Sequence, residues 1–222
     1  MNASRRRRFG CLSIVAALVA VGILFLAVAL WPQTMPESEA VPPARTEAQI
    51  VHLRPVADFA AIEDPAARSV ALFEEAGRVI RHPRCLNCHP RTDSPTQTDA
   101  MRPHSPLVVR GTDGGGTQTL RCTTCHQAAN FDAAGVPGNP KWRLAPIEMA
   151  WQGKSLGDIC RQLLDPARAH MGREALLHHM AEDALVGWAW HPGGGRTPAP
   201  GTQAEFGVLI AAWLETGGRC PA

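Results

Sequence analysis

Two segments of this 222-residue chain repeat one pattern of ligand-bearing side chains: Cys85-Leu86-Asn87-Cys88-His89 and Cys122-Thr123-Thr124-Cys125-His126. In each, two thiols stand three residues apart and an imidazole follows at once. That spacing suits a c-type haem: the thiols add across two vinyl groups of one porphyrin, and the adjacent histidine gives the iron its proximal nitrogen. Two other chemistries use the same residue types. Paired C-x2-C segments also serve as zinc knuckles, although zinc gives no reason for a histidine directly after each pair. A CxxC can be a thiol–disulfide redox pair, but that motif belongs in a βαβ pattern, which neither segment shows. The sequence therefore predicts two covalently attached haems c, with Cys85, Cys88, Cys122 and Cys125 as attachment points and His89 and His126 as proximal ligands.

Distal ligands must come from elsewhere in the chain. Beyond the motifs the later sequence offers His52, His82, His104, His170, His178, His179 and His191, with Met101, Met149, Met171 and Met180. His104 lies between the two motifs in Met101-Arg102-Pro103-His104-Ser105-Pro106, where flanking prolines stiffen its approach. His179 borders an apolar stripe of Leu176, Met180 and Ala184, and His178, its neighbour, points about 100° away on a helix. Met149 sits in an apolar stretch from Trp142 to Trp151. The expected ligand set is His104 at the first haem and His179 or Met149 at the second. A methionine there would raise the reduction potential relative to bis-histidine ligation.

The N-terminus predicts export. Arg5–Arg8 form a basic cluster before an uncharged run from Phe9 to Trp31, which as helix would rise roughly 34 Å, enough to cross a bilayer core of about 30 Å. The expected organisation is a cytoplasmic tail (1–8), a transmembrane anchor (9–31), a Pro-rich linker (32–57) and a haem-bearing domain (58–222) in the periplasm. The alternative is cleavage near Ala27-Val28-Ala29, leaving a soluble periplasmic protein. Without Arg5–Arg8, the 20 acidic residues outnumber the basic ones, so the polybasic cluster reads as topology and nothing resembles a nucleic-acid footprint. In an oxidising compartment the leftover Cys160 and Cys220 are expected to pair, the alternative being a buried free thiol. The chain has no tyrosine, which excludes a tyrosine-radical mechanism.

Several elements must position these groups. Asp64-Pro65 starts a helix carrying Leu72, Phe73, Ala76, Val79 and Ile80 on one face, and Pro83 stops it just before Cys85. Prolines and the Gly114–Gly116 run predict irregular chain from Pro90 to Arg121, with Leu107-Val108-Val109 as a short strand. Helices follow from Ser155, over about 173–185, and from a Thr202/Glu205 cap to Gly217-Gly218. Trp188 and Trp190 are expected in a loop over a core or a haem edge. The predicted fold class is mainly α with long irregular loops, cytochrome c-like, with helices packed around two haems after an N-terminal transmembrane helix.

The segments His82–His89, Met101–His104, Pro106–Gly111, Met149–Ser155, Leu185–Trp190 and Pro198–Thr202, with the Cys220-Pro221 end, resemble an exported bacterial diheme cytochrome c family. The likeness covers roughly residues 66–221. Its members are often labelled as a subunit of isoquinoline 1-oxidoreductase, which implies association with a molybdenum hydroxylase. This chain lacks the cysteines for iron–sulfur domains and is too short for a molybdopterin subunit. The resemblance thus implies electron transfer from such a dehydrogenase to a respiratory acceptor. The alternative is a diheme enzyme of peroxidase type with one open haem position; a haem-based sensor or assembly subunit is a third reading.

Overall fold

The computed structural model describes residues 51–222. Seven α-helices occur among them: α1 (Pro65–Ile80), α2 (Pro83–Leu86), α3 (Leu156–Leu164), α4 (Pro166–Ala169), α5 (Arg173–Glu182), α6 (Ala184–Gly187) and α7 (Gln203–Glu215). The only sheet among the described residues is a hairpin pairing β1 (Thr96–Gln97) with β2 (Arg102–Pro103), Thr96 opposite Pro103 and Gln97 opposite Arg102.

The helices begin where their caps place them. Asp64 accepts from the amides of Ala66 (3.2 Å) and Ala67 (3.1 Å), and Pro65 opens α1 without a wasted donor. Ser155 accepts from the amide of Asp158 (3.0 Å) at the head of α3. At α7, Thr202 Oγ1 accepts from the amide of Glu205 (3.1 Å) while Glu205 Oε2 accepts from the amide of Thr202 (2.9 Å), a reciprocal box. The expected helix over 173–185 is divided. Asp183 leaves helical conformation and its carboxylate caps α6 through the amide of Leu185 (2.7 Å).

α7 lies between α1 and α5, and the three bury Leu72, Phe73, Val79, Ile80, Leu176, Phe206, Leu209, Ile210 and Trp213 almost completely. Phe73 and Trp213 meet at 4.5 Å between ring centres. The α5–α7 contact is close because α7 carries Gly207: a Cβ there would lie 2.7 Å from the Ala181 methyl. Ser69 is buried but satisfied, donating to the Trp213 carbonyl (3.2 Å) and accepting from the Arg219 amide (2.9 Å). Cys160 of α3 and Cys220 lie at disulfide distance, Cα–Cα 5.5 Å, which fastens α3 to the chain that follows α7. At the other end, Leu53 and Phe59 join the same core.

The expected fold class needs correcting. The core is formed by α1, α5 and α7, which pack on one another around side chains because their apolar faces satisfy each other. The first CxxCH begins inside the short helix α2, whereas the second lies in a long helix-poor layer whose helical segments are the short 3-10 turns Cys122–Thr124, Asp132–Ala134 and Ile147–Met149. The expected transmembrane helix at 9–31 lies outside the described residues. Among the described residues no helix is long and apolar enough to cross a membrane. Leu107–Val109 is likewise not a strand: Leu107 is 74% exposed, and the hairpin forms just before it.

The contrast within α7 gives a direct check of this core. Leu209→Ala, at 1% exposure, should destabilise the protein by about 2–5 kcal/mol. Val208→Ala, at 57%, should stay within about 0.5 kcal/mol of the parent. Urea midpoints of the two variants measure the difference.

Candidate functional site: two imidazole sites

His82 caps α2, its Nδ1 accepting from the amide of Arg84 (3.3 Å), and the chain leaves α2 through Asn87 to deliver His89. The segment 145–152 straps itself along this motif. The Ala145 amide donates to the Cys88 carbonyl (3.1 Å), the Trp151 amide to the His89 carbonyl (2.9 Å), and Gln152 Nε2 to the Leu86 carbonyl (3.1 Å). The His89 imidazole is held twice by the same strap. Its Nδ1 donates to the Met149 carbonyl (2.7 Å), and its ring stacks on Trp151 at 3.5 Å and 9°. Committing Nδ1 to a carbonyl leaves Nε2 as the basic nitrogen, the state a metal ligand needs. Burial drives the His89 pKa down to about 3, against the opposing effect of the Met149 carbonyl, so the ring is neutral.

The second motif repeats the device with different parts. His126 Nδ1 donates to the Pro137 carbonyl (2.8 Å), and the ring stacks on Trp142 at 4.6 Å and 13°. The loop that supplies Pro137 is folded back by the Phe131–Val136 bridge and by the Gly138 amide donating to Asn130 Oδ1 (3.0 Å). Glycine is required there, since a Cβ at 138 would lie 2.0 Å from the Ala129 carbonyl oxygen. Trp142 meets Trp188 edge-on at 4.9 Å, and Trp188 Nε1 donates to the same Asn130 Oδ1 (2.9 Å). Burial lowers the His126 pKa as well. On the approach to the motif, Arg121 forks onto Asp113 (3.0 and 2.8 Å) and holds that carboxyl far below its ordinary range.

All four motif cysteines are free thiols. Burial pushes the Cys85 thiol up to about 12 and Cys88 up to about 11, so neither is an activated thiolate of the kind thiol–disulfide exchange uses. Among the described residues there is no group of three or more His, Cys, Asp or Glu placed to hold a metal ion.

A cavity of about 810 Å³ opens over the first motif, lined by Cys85, Cys88 and His89 and reaching Thr123 and Trp142 beside the second. That volume is in the range of cofactor pockets, about 300–1,000 Å³. His179, half-buried on α5, lines it with Met171 and Met180. Met149 also lines the cavity, but its carbonyl sits behind His89 on the Nδ1 side, so its backbone orients the imidazole. Two buried donors at this cavity, Arg84 Nε and Trp151 Nε1, have no hydrogen-bond acceptor.

His104, expected at the first motif, is found beside the imidazole of the second. The hairpin carries it to the second, where its ring is 5.9 Å from that of His126. The hairpin is anchored through Asp99, which accepts from buried Arg84 and from Thr197 Oγ1 (2.6 Å). His178 is exposed and bonds Glu182 (3.0 Å). Sequence reasoning missed Trp142, Trp151, Pro137 and the Arg84–Asp99 clamp. Only the tryptophans left a signal, one in each arm of the apolar stretch from Trp142 to Trp151. No family model matches the chain, and no curated protein or solved structure matches it.

The clamp can be tested by mutation. Asp99→Ala strands the Arg84 guanidinium, whose side chain is 2% exposed, and should destabilise the protein by about 1–3 kcal/mol. Adding Arg84→Met should recover part of that loss by removing the unpaired charge. Thermal denaturation of the single and double variants reads both effects.

Proposed function

We propose that this chain carries two covalently attached haems c and transfers electrons outside the cytoplasm. The observation that carries this reading is the repeated imidazole site. At each CxxCH the histidine has its Nδ1 tied to a backbone carbonyl and its ring laid on a tryptophan, which leaves Nε2 as the nitrogen available to bind a metal. Free thiols flank both imidazoles. At the first motif, the two orphaned donors and the cavity suit a large apolar group that bears acceptor atoms.

In this reading Cys85 and Cys88 hold one porphyrin and Cys122 and Cys125 the other, with His89 and His126 on the irons. A bound haem supplies a metal that gains and loses one electron near the potential its ligands set. The protein's own share is to fix, orient and desolvate. The Met149 and Pro137 carbonyls hold each imidazole in one tautomer and raise its basicity. Trp151 and Trp142 prevent ring rotation, so that little rearrangement accompanies a change of charge. The cavity over the first motif reaches Thr123 of the second, which supports two centres close enough to exchange an electron.

The periplasm is the compartment we assign, supported by the Arg5–Arg8 cluster ahead of an apolar run and by the Cys160–Cys220 pair. The resemblance to the diheme family makes the electron donor a dehydrogenase, with a molybdenum hydroxylase as one candidate, and the acceptor a respiratory carrier.

Intact-mass analysis of the protein produced in an exporting, haem-maturing host should show two haem additions that survive denaturation. Peptide mapping should place one on Cys85/Cys88 and one on Cys122/Cys125. Retention of four alkylatable thiols, or zinc in place of haem, would remove the basis of the reading. A haem that remains high-spin and binds peroxide would favour the peroxidase-type alternative.

A further inference from the structure

Two histidines and a methionine outside the motifs, His104, His179 and Met149, were expected to compete for the distal positions, and one of them lies beside a motif imidazole. His104 follows β2 directly, and its amide donates to the Pro95 carbonyl (3.2 Å), which extends the hairpin pairing by one bond. Its Nδ1 donates to the Pro106 carbonyl (2.8 Å). This is the arrangement of His89 and His126: Nδ1 committed to the main chain, Nε2 left basic. The ring centres of His104 and His126 are 5.9 Å apart and inclined by 57°. Two imidazoles bound end to end on one metal ion have ring centres about 6 Å apart, given metal–nitrogen distances of about 2 Å.

We infer that His104 is the second axial ligand at the Cys122–His126 motif, which makes that centre bis-histidine. The inference rests on the haem reading above and adds the ligand and its assignment, which is the opposite motif from the one its sequence position suggests. Several bonds hold the hairpin in place. Arg84, immediately before Cys85, holds Asp99 at the hairpin tip, so the hairpin is fastened to the first motif while its outgoing strand presents His104 to the second. Asn87 Nδ2, donating to the Thr98 carbonyl (3.0 Å), and Gln152 Nε2, donating to Thr96 Oγ1 (2.7 Å), fasten it further.

The test uses the exported holoprotein with low-temperature EPR and near-infrared magnetic circular dichroism. Both haem additions are first verified by mass, since their absence sinks the haem reading itself and this inference with it. In the parent, the haem at Cys122/Cys125 should be low-spin with a histidine–histidine signature. His104→Ala should convert that one haem to high-spin and remove its histidine–histidine band, while the other haem keeps its signals. His104→Met should restore a low-spin centre with a histidine–methionine band and raise its potential. His179→Ala should leave the signals of the second motif in place. If His104→Ala retains two haems and both low-spin signals unchanged, His104 is not a ligand. Should His104→Ala fail to accumulate, the methionine variant decides alone, and an unaltered histidine–histidine band in it overturns the assignment.

Discussion

Between Asn87 and Ser155 the chain has almost no regular secondary structure, so its backbone donors and acceptors must be satisfied singly. That requirement shapes everything around the two motifs. The Arg110 guanidinium is buried and serves two carbonyls, those of Ala145 and Thr92 (2.9 Å), while its own amide bonds the Asp93 carbonyl (2.7 Å). The Leu144 amide reaches the Gly114 carbonyl (2.8 Å), and the Cys122 amide reaches that of Gly115 (2.9 Å). Most of these bonds join segments well separated in sequence, and together they replace the ladder a sheet would have provided. The imidazoles enter the same scheme: His89 and His126 satisfy carbonyls that would otherwise be left in partly buried loops.

The molecule therefore divides its labour. The helices α1, α5 and α7 form a side-chain core that buries Trp213, and Ile80, Leu176 and Phe206 from the same helices also line the cavity over the first motif. The loop layer rests on that core through a few contacts, among them Gln162 of α3 donating to the Glu148 carbonyl (3.0 Å). Rigidity at the motifs comes from stacked rings and main-chain hydrogen bonds.

What was legible in the sequence follows the same division. The face of α1, the capped starts of α1, α3 and α7, and the Gly217 stop are local signals, and local physics sets them: a cap bonds within three residues and an amphipathic stripe repeats every turn. The break at Asp183 was missed because one carboxylate can close one helix or open another, and only packing decides. Leu107–Val109 has strand-forming residues, but a strand needs a neighbour, and none is present beside it among the described residues. The placement of His104, the Trp151 and Trp142 stacks and the 145–152 strap are all contacts over long separations, for which residue spacing carries no information. The CxxCH repeats are different, because each gathers its thiols and imidazole within five consecutive residues, where spacing alone can be read.

The Cys160–Cys220 link encloses everything from α4 through α7, including the loop Gly193-Gly194-Gly195, in which all three residues have positive φ. A glycine run of this kind on the surface is a natural cutting point for proteases. A nick there would split the polypeptide but not the particle: α5 and α7 would remain tethered through sulfur, and their shared core would stay closed. On an unreduced gel such a molecule would migrate near its uncut length, while reduction would release two fragments. A cut between Cys88 and Cys122, by contrast, would fall outside the ring that the bond closes.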